Sequence, residues 1–404
     1  MVRATEVEPR PAGRAGWHRR VGALPVVYFL GIVVVAFIHP FLPTGEWLLV
    51  HLLLLGAATN AIVVWSSHFA AAVLRTPAPE SRRGEALRLA ALNAGVIAVL
   101  AGGATGLGWL GVTGAAAVFV AVSAHLATLA IQLHRALPSR LRVTVHYYLA
   151  AAIALLIGVP VGAVLFVTST DDGRLLLTHA HVNVLGWVTL TVIGTLVTLW
   201  PTTLRTRMAE HAATAAVAGL PPAVAGLAVL AVGLLAWWPV LAVAGLALFA
   251  IAATAVLWPG VDAARRRPPH SFATWSIAAA IGWFLAAMVL DGWLLAASAT
   301  PADAADRLGI VLVPLLVGFV AQVLVGALSY LLPTVLGGGP GPVRERIARL
   351  DRHFAQRVVM ANLALLVYQL PVGSYVRITT SLLVLAALAQ FLVPAIGILV
   401  AHRR

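Results

Sequence analysis

The chain contains no cysteine and no lysine. The absence of cysteine excludes disulfides, thiolate metal ligands, iron–sulfur clusters and covalent Cys-x-x-Cys-His haem attachment. Any metal must be held by His, Met, Tyr, Asp or Glu, and any haem must be non-covalent. Charge is scarce as well. Of 404 residues 10% are charged and 61% are hydrophobic, with a mean hydropathy of +0.96. Soluble domains are about a quarter charged, so an ordinary soluble core is excluded and an all-α polytopic membrane protein is implied.

All 27 basic residues are arginine, and the net charge is +13. Their placement excludes a nucleic-acid partner, because they fall in short blocks between apolar runs. The pI of about 11.5 therefore reports topology and contact with anionic headgroups of the lipid bilayer. The arginine-only, alanine-rich usage resembles that of a GC-rich, actinobacterial genome.

A helix needs about 20 apolar residues to span a bilayer. Twelve such runs occur, near 24–42, 47–74, 86–109, 112–134, 143–168, 177–203, 212–233, 236–258, 271–297, 308–335, 354–371 and 377–400. Of the 27 arginines, 24 lie in seven blocks, at 3–20, 75–88, 135–142, 205–207, 265–267, 344–357 and 403–404. The intervening loops hold only Arg174, Arg307 and Arg377, beside acids such as Glu46, Asp172 and Asp303. This alternation predicts a multi-pass plasma-membrane protein with both termini in the cytoplasm. Residues 1–23 read as a cytoplasmic basic arm and 24–404 as one membrane domain. A signal peptide is the alternative for the first run, but no small-residue cleavage site follows residue 42.

The runs also repeat. Gly186, Gly194, Pro201-Thr202 and Leu204 match Gly318, Gly326, Pro333-Thr334 and Leu336 at an offset of 132. His51, Gly56, Thr59 and Leu74-Arg75 match His181, Gly186, Thr189 and Leu204-Arg205 at an offset of 130. Three related runs, four spans apart, predict three pseudo-repeats of four helices, about 24–134, 143–258 and 271–400. Val313 stands where the third histidine would be.

Ionisable residues inside a membrane are costly and mark candidate sites. His51, His179 and His181 lie within about two turns of the outer face at 1.5 Å per residue, with His39 and Asp291 near the same face. His125 lies near mid-membrane and is a further candidate metal ligand. His68 and His146 approach the cytoplasmic side and read as headgroup or interhelical partners. Asn60, Asn183 and Gln322 read as interhelical hydrogen-bonding residues. His179 and His181 are two residues apart, so on a helix they point about 200° from each other. They cannot chelate one ion but can serve sites on opposite flanks of one helix. Asp291 could accept from the second nitrogen of a ligand histidine.

The stretch HAHVNVLGWVTLTVIGTLVTLWPTTL (179–204) resembles the His-x-His helix of the haem-copper oxidase subunit I superfamily, notably nitric oxide reductases. It is also similar to the NnrS family of twelve-span proteins, through Gly186, Gly194, Thr198 and Pro201. The stretch 47–75 resembles membrane regions of actinobacterial multicopper oxidase or copper nitrite reductase-like proteins. The resemblance implies an oxidase-like fold of twelve helices, with His179 and His181 as haem or copper ligands and His51 as the facing ligand. It implies b-type haem, with copper as a second candidate, and a role in electron transfer, sensing or protection in nitrogen-oxide or copper metabolism. A multicopper oxidase or nitrite reductase-like protein is the implied redox partner. The chain lacks the superfamily's paired histidines and His-Tyr motif, so a complete haem–copper reaction centre is not expected. Two further readings stay open from the residues: a cofactor-free membrane partner subunit of a redox enzyme, and a transporter.

Overall fold

A computed structural model of the chain describes residues 13–76, 82–168 and 172–401. Among the described residues every regular element is helical. Apolar runs in a bilayer have no water to satisfy the backbone, so each must close its hydrogen bonds within itself. In chain order the helices are α1 Gly13–Ile38, α2 Gly45–Leu74, α3 Arg83–Thr105, α4 Gly108–Arg135, α5 Arg142–Leu165 and α6 Arg174–Thr203. There follow α7 Ala212–Ala236, α8 Pro239–Arg266, α9 Phe272–Ala297, α10 Pro301–Leu336, α11 Pro340–Leu350, α12 Phe354–Tyr368 and α13 Ser374–Val400.

Eleven of these are long and apolar enough to cross a membrane. The difference from the expected twelve is α12, which has 15 residues and so about 22 Å of length. It stops at Gln369 because Pro371 and the 370–373 turn follow. At the other end, α1 starts at Gly13, so part of the expected basic arm is helix. Residues 1–12 of the arm and the terminal Arg403 and Arg404 lie outside the described residues.

Helices α2, α6 and α10 form the centre. Their apolar windows are 61%, 78% and 72% buried within the protein, against 28–44% for the other spans. Each of the three carries one π-helical segment, at Leu52–Ala58, Val182–Thr189 and Pro314–Ala321. Such segments insert one residue into the helical ladder and free local carbonyls. Thr59 and Thr189 answer this by donating their hydroxyls to carbonyls five residues back, on Leu54 and Val184 (2.8 and 2.9 Å). Trp187 Nε1 then donates to Thr59 Oγ1 at 3.0 Å, tying α6 to α2. Gly56, Gly186 and Gly318 sit inside the three segments, pressed respectively on the Tyr28 ring, Ala154 and the Trp283 ring.

Lipid tails are as apolar as leucine, so helices associate here through close packing and polar pairs. Helices α3 and α4 touch backbone to backbone at Gly95 with Gly114 and at Gly102 with Gly111. The α7–α8 pair repeats this contact at Gly226 with Gly245 and at Gly233 with Ala242. Two polar triads complete the frame. In the first, Asn93 Oδ1 accepts from Tyr28 Oη (2.8 Å) and Asn60 Nδ2 (3.2 Å), and Asn93 Nδ2 donates to Asn60 Oδ1 (2.8 Å). In the second, Asn362 Oδ1 accepts from Trp283 Nε1 (2.7 Å) and Gln322 Nε2 (2.9 Å), and Asn362 Nδ2 donates to Gln322 Oε1 (3.2 Å).

Candidate functional site

The site is built at the arginine-poor ends of α2, α5, α6 and α9. His51 is the last residue before the π segment of α2, and His181 holds the same place on α6. His51 Nδ1 donates to the carbonyl of Trp47, one turn earlier, at 2.9 Å. The Trp47 ring stacks on the imidazole, with centroids 3.9 Å apart and planes 26° from parallel. One side chain therefore receives both its orientation and its tautomer from residue i−4.

His179 is held from a neighbouring helix. Its Nδ1 lies 3.0 Å from the carbonyl of Gly158 on α5, and Gly162 leaves space for the ring one turn on. A methyl at Gly162 would sit 2.5 Å from the ring's Cε1. Asn183 Nδ2 donates to the His179 carbonyl at 2.7 Å and lies 3.1 Å from Nδ1. A carbonyl can only accept, so the Nδ1 of each histidine, His51 and His179, carries the proton. Each Nε2 then presents a lone pair. Among the described residues neither Nε2 has a hydrogen-bond partner.

The two rings face one another across the α2–α6 contact. Their centroids are 6.4 Å apart and their planes 21° from parallel. The structure thus brings His51 beside His179. His181 points to the opposite flank of α6, as expected for residues two apart. There its Nε2 donates to both oxygens of Asp291 on α9, at 3.1 and 2.9 Å, and its Nδ1 donates to Leu177 O at 2.7 Å. His181 and Asp291 are 5% and 1% exposed, so this is a buried His–Asp pair. Both nitrogens of His181 are committed within the protein.

The other candidates lie apart. His125 Nε2 is 3.0 Å from Ser66 Oγ on α2, and its Nδ1 is buried without a hydrogen-bond partner. Ser66 is fifteen residues beyond His51, or about 22 Å along the helix. His68 packs on Trp65 and His18 near the arginine-rich end. His39 Nδ1 is 2.8 Å from Ala36 O, and His146 Nδ1 is 3.0 Å from Arg142 O. Among the described residues no group of three or more His, Cys, Asp or Glu side chains is arranged to hold a metal ion.

Trp47, Gly158 and Gly162 are the parts that the sequence reading missed. The Trp-x-x-x-His spacing signals an i, i+4 stack, so Trp47 could have been found. Nothing in the sequence marks Gly158 and Gly162 out from the other 33 of the 35 glycines. Compared with known proteins, the chain matches no family model and no curated protein in sequence.

Proposed function

We propose that this is a haem-binding integral membrane protein related to the haem-copper oxidases, in which His51 and His179 would hold one b-type haem. The ring pair carries the reading. The pair stands at 6.4 Å, near parallel, with both Nδ1 atoms anchored to carbonyls and both Nε2 atoms available. A histidine whose second nitrogen bonds a backbone carbonyl is the usual form of a metal ligand. Haem brings four of its iron's ligands itself, so two histidines would suffice, whereas among the described residues no third His, Asp or Glu joins them for a bare copper ion. When bound, haem would supply one-electron redox chemistry. The chain's own part is to fix the two rings, exclude water with the walls of α2, α5 and α6, and set the ligand tautomers. The proposed role is electron transfer, sensing or protection in nitrogen-oxide or copper metabolism, with a multicopper oxidase or nitrite reductase-like protein as proposed redox partner; for role and partner the support is the sequence resemblance alone.

The twelve-helix, three-repeat arrangement belongs to the same proposal. Its supports are the π segments beginning at 52, 182 and 314, the glycine contacts of α3–α4 and α7–α8 at a constant offset of 131, and the two polar triads. Asn362 plays the part of Asn93, which makes the short α12 the counterpart of α3 and the missing twelfth span. An even number of spans puts both termini on one side, and the arginine blocks make it the cytoplasmic side of the plasma membrane.

The cofactor-free partner subunit draws on His181, whose nitrogens are satisfied inside the protein. A transporter draws on less, since the buried triads pair their polar groups with each other instead of lining a path. The deciding experiment is the absorption spectrum of the purified protein, oxidised and dithionite-reduced, after expression with haem supply. A Soret band with a low-spin, bis-imidazole spectrum is expected, lost in His51→Ala and in His179→Ala. Absence of haem in the wild-type protein overturns the reading.

A further inference from the structure

Away from the His51–His179 pair, toward the arginine-rich end, α8 and α9 part to leave a lateral groove. It consists of two joined cavities of about 290 and 610 Å³, which share Thr254, Trp258 and Leu285. On α9 the lining runs from Ala278 to Val289, about 16 Å at 1.5 Å per residue. One leaflet of the hydrocarbon core is about 15 Å deep. The groove therefore has the depth of a single acyl tail, starting at the membrane surface and ending near mid-membrane.

The lining offers such a tail nothing but apolar surface. The Thr254 hydroxyl donates to Ala250 O at 2.7 Å, and Trp200 Nε1 donates to Gly260 O at 3.0 Å. Trp258 is the exception. It is 62% exposed, and among the described residues its Nε1 makes no hydrogen bond. The mouth lies where Met208 and Ala264 line the cavity. Arg207 and Arg265 adjoin these two residues in sequence, followed by Arg266 and Arg267, and all four are exposed. Two acids stand at this mouth: Asp262, 3.8 Å from both Arg265 and His211, and exposed Glu210, which adjoins the lining residue Ala209 in sequence.

We infer that this groove is a binding site for one anionic phospholipid. Its acyl tail lies between α8 and α9, its ester region meets Trp258, and its phosphate sits among Arg265, Arg266 and Arg267. Tail length fits the groove, and the charge of the mouth selects the headgroup. The site is separate from the histidine pair and does not depend on it.

The test uses the full-length protein in detergent, titrated with phosphatidylglycerol or phosphatidylcholine of the same acyl chains. Bound lipid is counted by native mass spectrometry, and thermal unfolding is followed in parallel. The expected result is one retained phosphatidylglycerol per chain, preferred over phosphatidylcholine by at least about tenfold. Ala278→Phe fills the groove and abolishes retention. The surface triple variant Arg265→Gln/Arg266→Gln/Arg267→Gln keeps the fold and the tail site but binds both lipids alike. Equal binding of the two lipids by the wild-type protein overturns the proposal, as does an unchanged preference in the triple variant. Co-purification of a neutral isoprenoid in place of the phospholipid also overturns it.

Discussion

The His181–Asp291 pair yields the sharpest test of the interior. Replace Asp291 with leucine, and the His181 side chain at 5% exposure loses both carboxylate contacts, at 2.9 and 3.1 Å. Breaking one partner of a buried ion pair costs about 3–5 kcal/mol. An unfolding entropy of about 2.1 cal/mol/K per residue gives on the order of 0.85 kcal/mol/K for a chain this long. The midpoint of thermal unfolding then falls by at least about 4–6 °C. The fall is larger where helices persist in detergent and the unfolding entropy is smaller. His181→Leu, which strands the carboxylate, has a cost of the same order. The double variant His181→Leu/Asp291→Leu places two apolar side chains face to face and recovers to within about 1–2 kcal/mol of wild type. Asp291→Asn, which still accepts from Nε2, loses only about 1–2 kcal/mol. The assay is unfolding of the four variants in one detergent, arranged as a double-mutant cycle. If the double variant is destabilised by the sum of the two single losses, the side chains are not coupled and the pairing is wrong.

Other perturbations address the remaining parts of the structure. Gly162→Val pushes a side chain into the His179 ring and lowers haem occupancy, while Gly282→Val, at a glycine with open space around it, leaves the spectrum unchanged. Asn362→Leu removes the hub of the Trp283–Gln322 triad and costs about 1–3 kcal/mol, read as a lower unfolding midpoint; Asn93→Leu costs a similar amount at the other triad. Because the chain has no cysteine, single reporters are clean. Glu46→Cys is labelled by a membrane-impermeant maleimide in intact cells, and Arg266→Cys only after permeabilisation. Labelling of both in intact cells refutes the assigned orientation.

Much of the frame was legible because a bilayer allows few solutions. Length and hydropathy place twelve spans without reference to packing, and the structure has eleven of them as helices long enough to cross. The divergence of His179 and His181 follows from helix geometry alone. Partnership did not follow. The repeat equates His51 with His181, but equivalence is a statement about position within each unit, and contact forms between units. His51 therefore meets His179, whose own place in the repeat holds no histidine elsewhere. Asp291 was visible as an acid at the right depth, yet only the packing of α9 on α6 selects His181 as its partner. The π segments left no mark beyond shared glycines, since one inserted residue changes no composition. The run 354–371 reads as a span by hydropathy, and its last turns are undone by the proline at 371.

One of those segments has a consequence for how the protein is assembled in the cell. The backbone of α10 takes the π form at Pro314–Ala321, although Val313 stands before it and no imidazole is there to bind anything. The distortion there needs no imidazole: Pro314, with no N–H to donate, heads the segment, and Trp283 packs on Gly318 within it. If α2 and α6 likewise take their π turns without a ligand, the rings of His51 and His179 would stand in place before the proposed haem arrives. Loading would then be limited by access to the bilayer edge of α2 and α6, and not by a folding step.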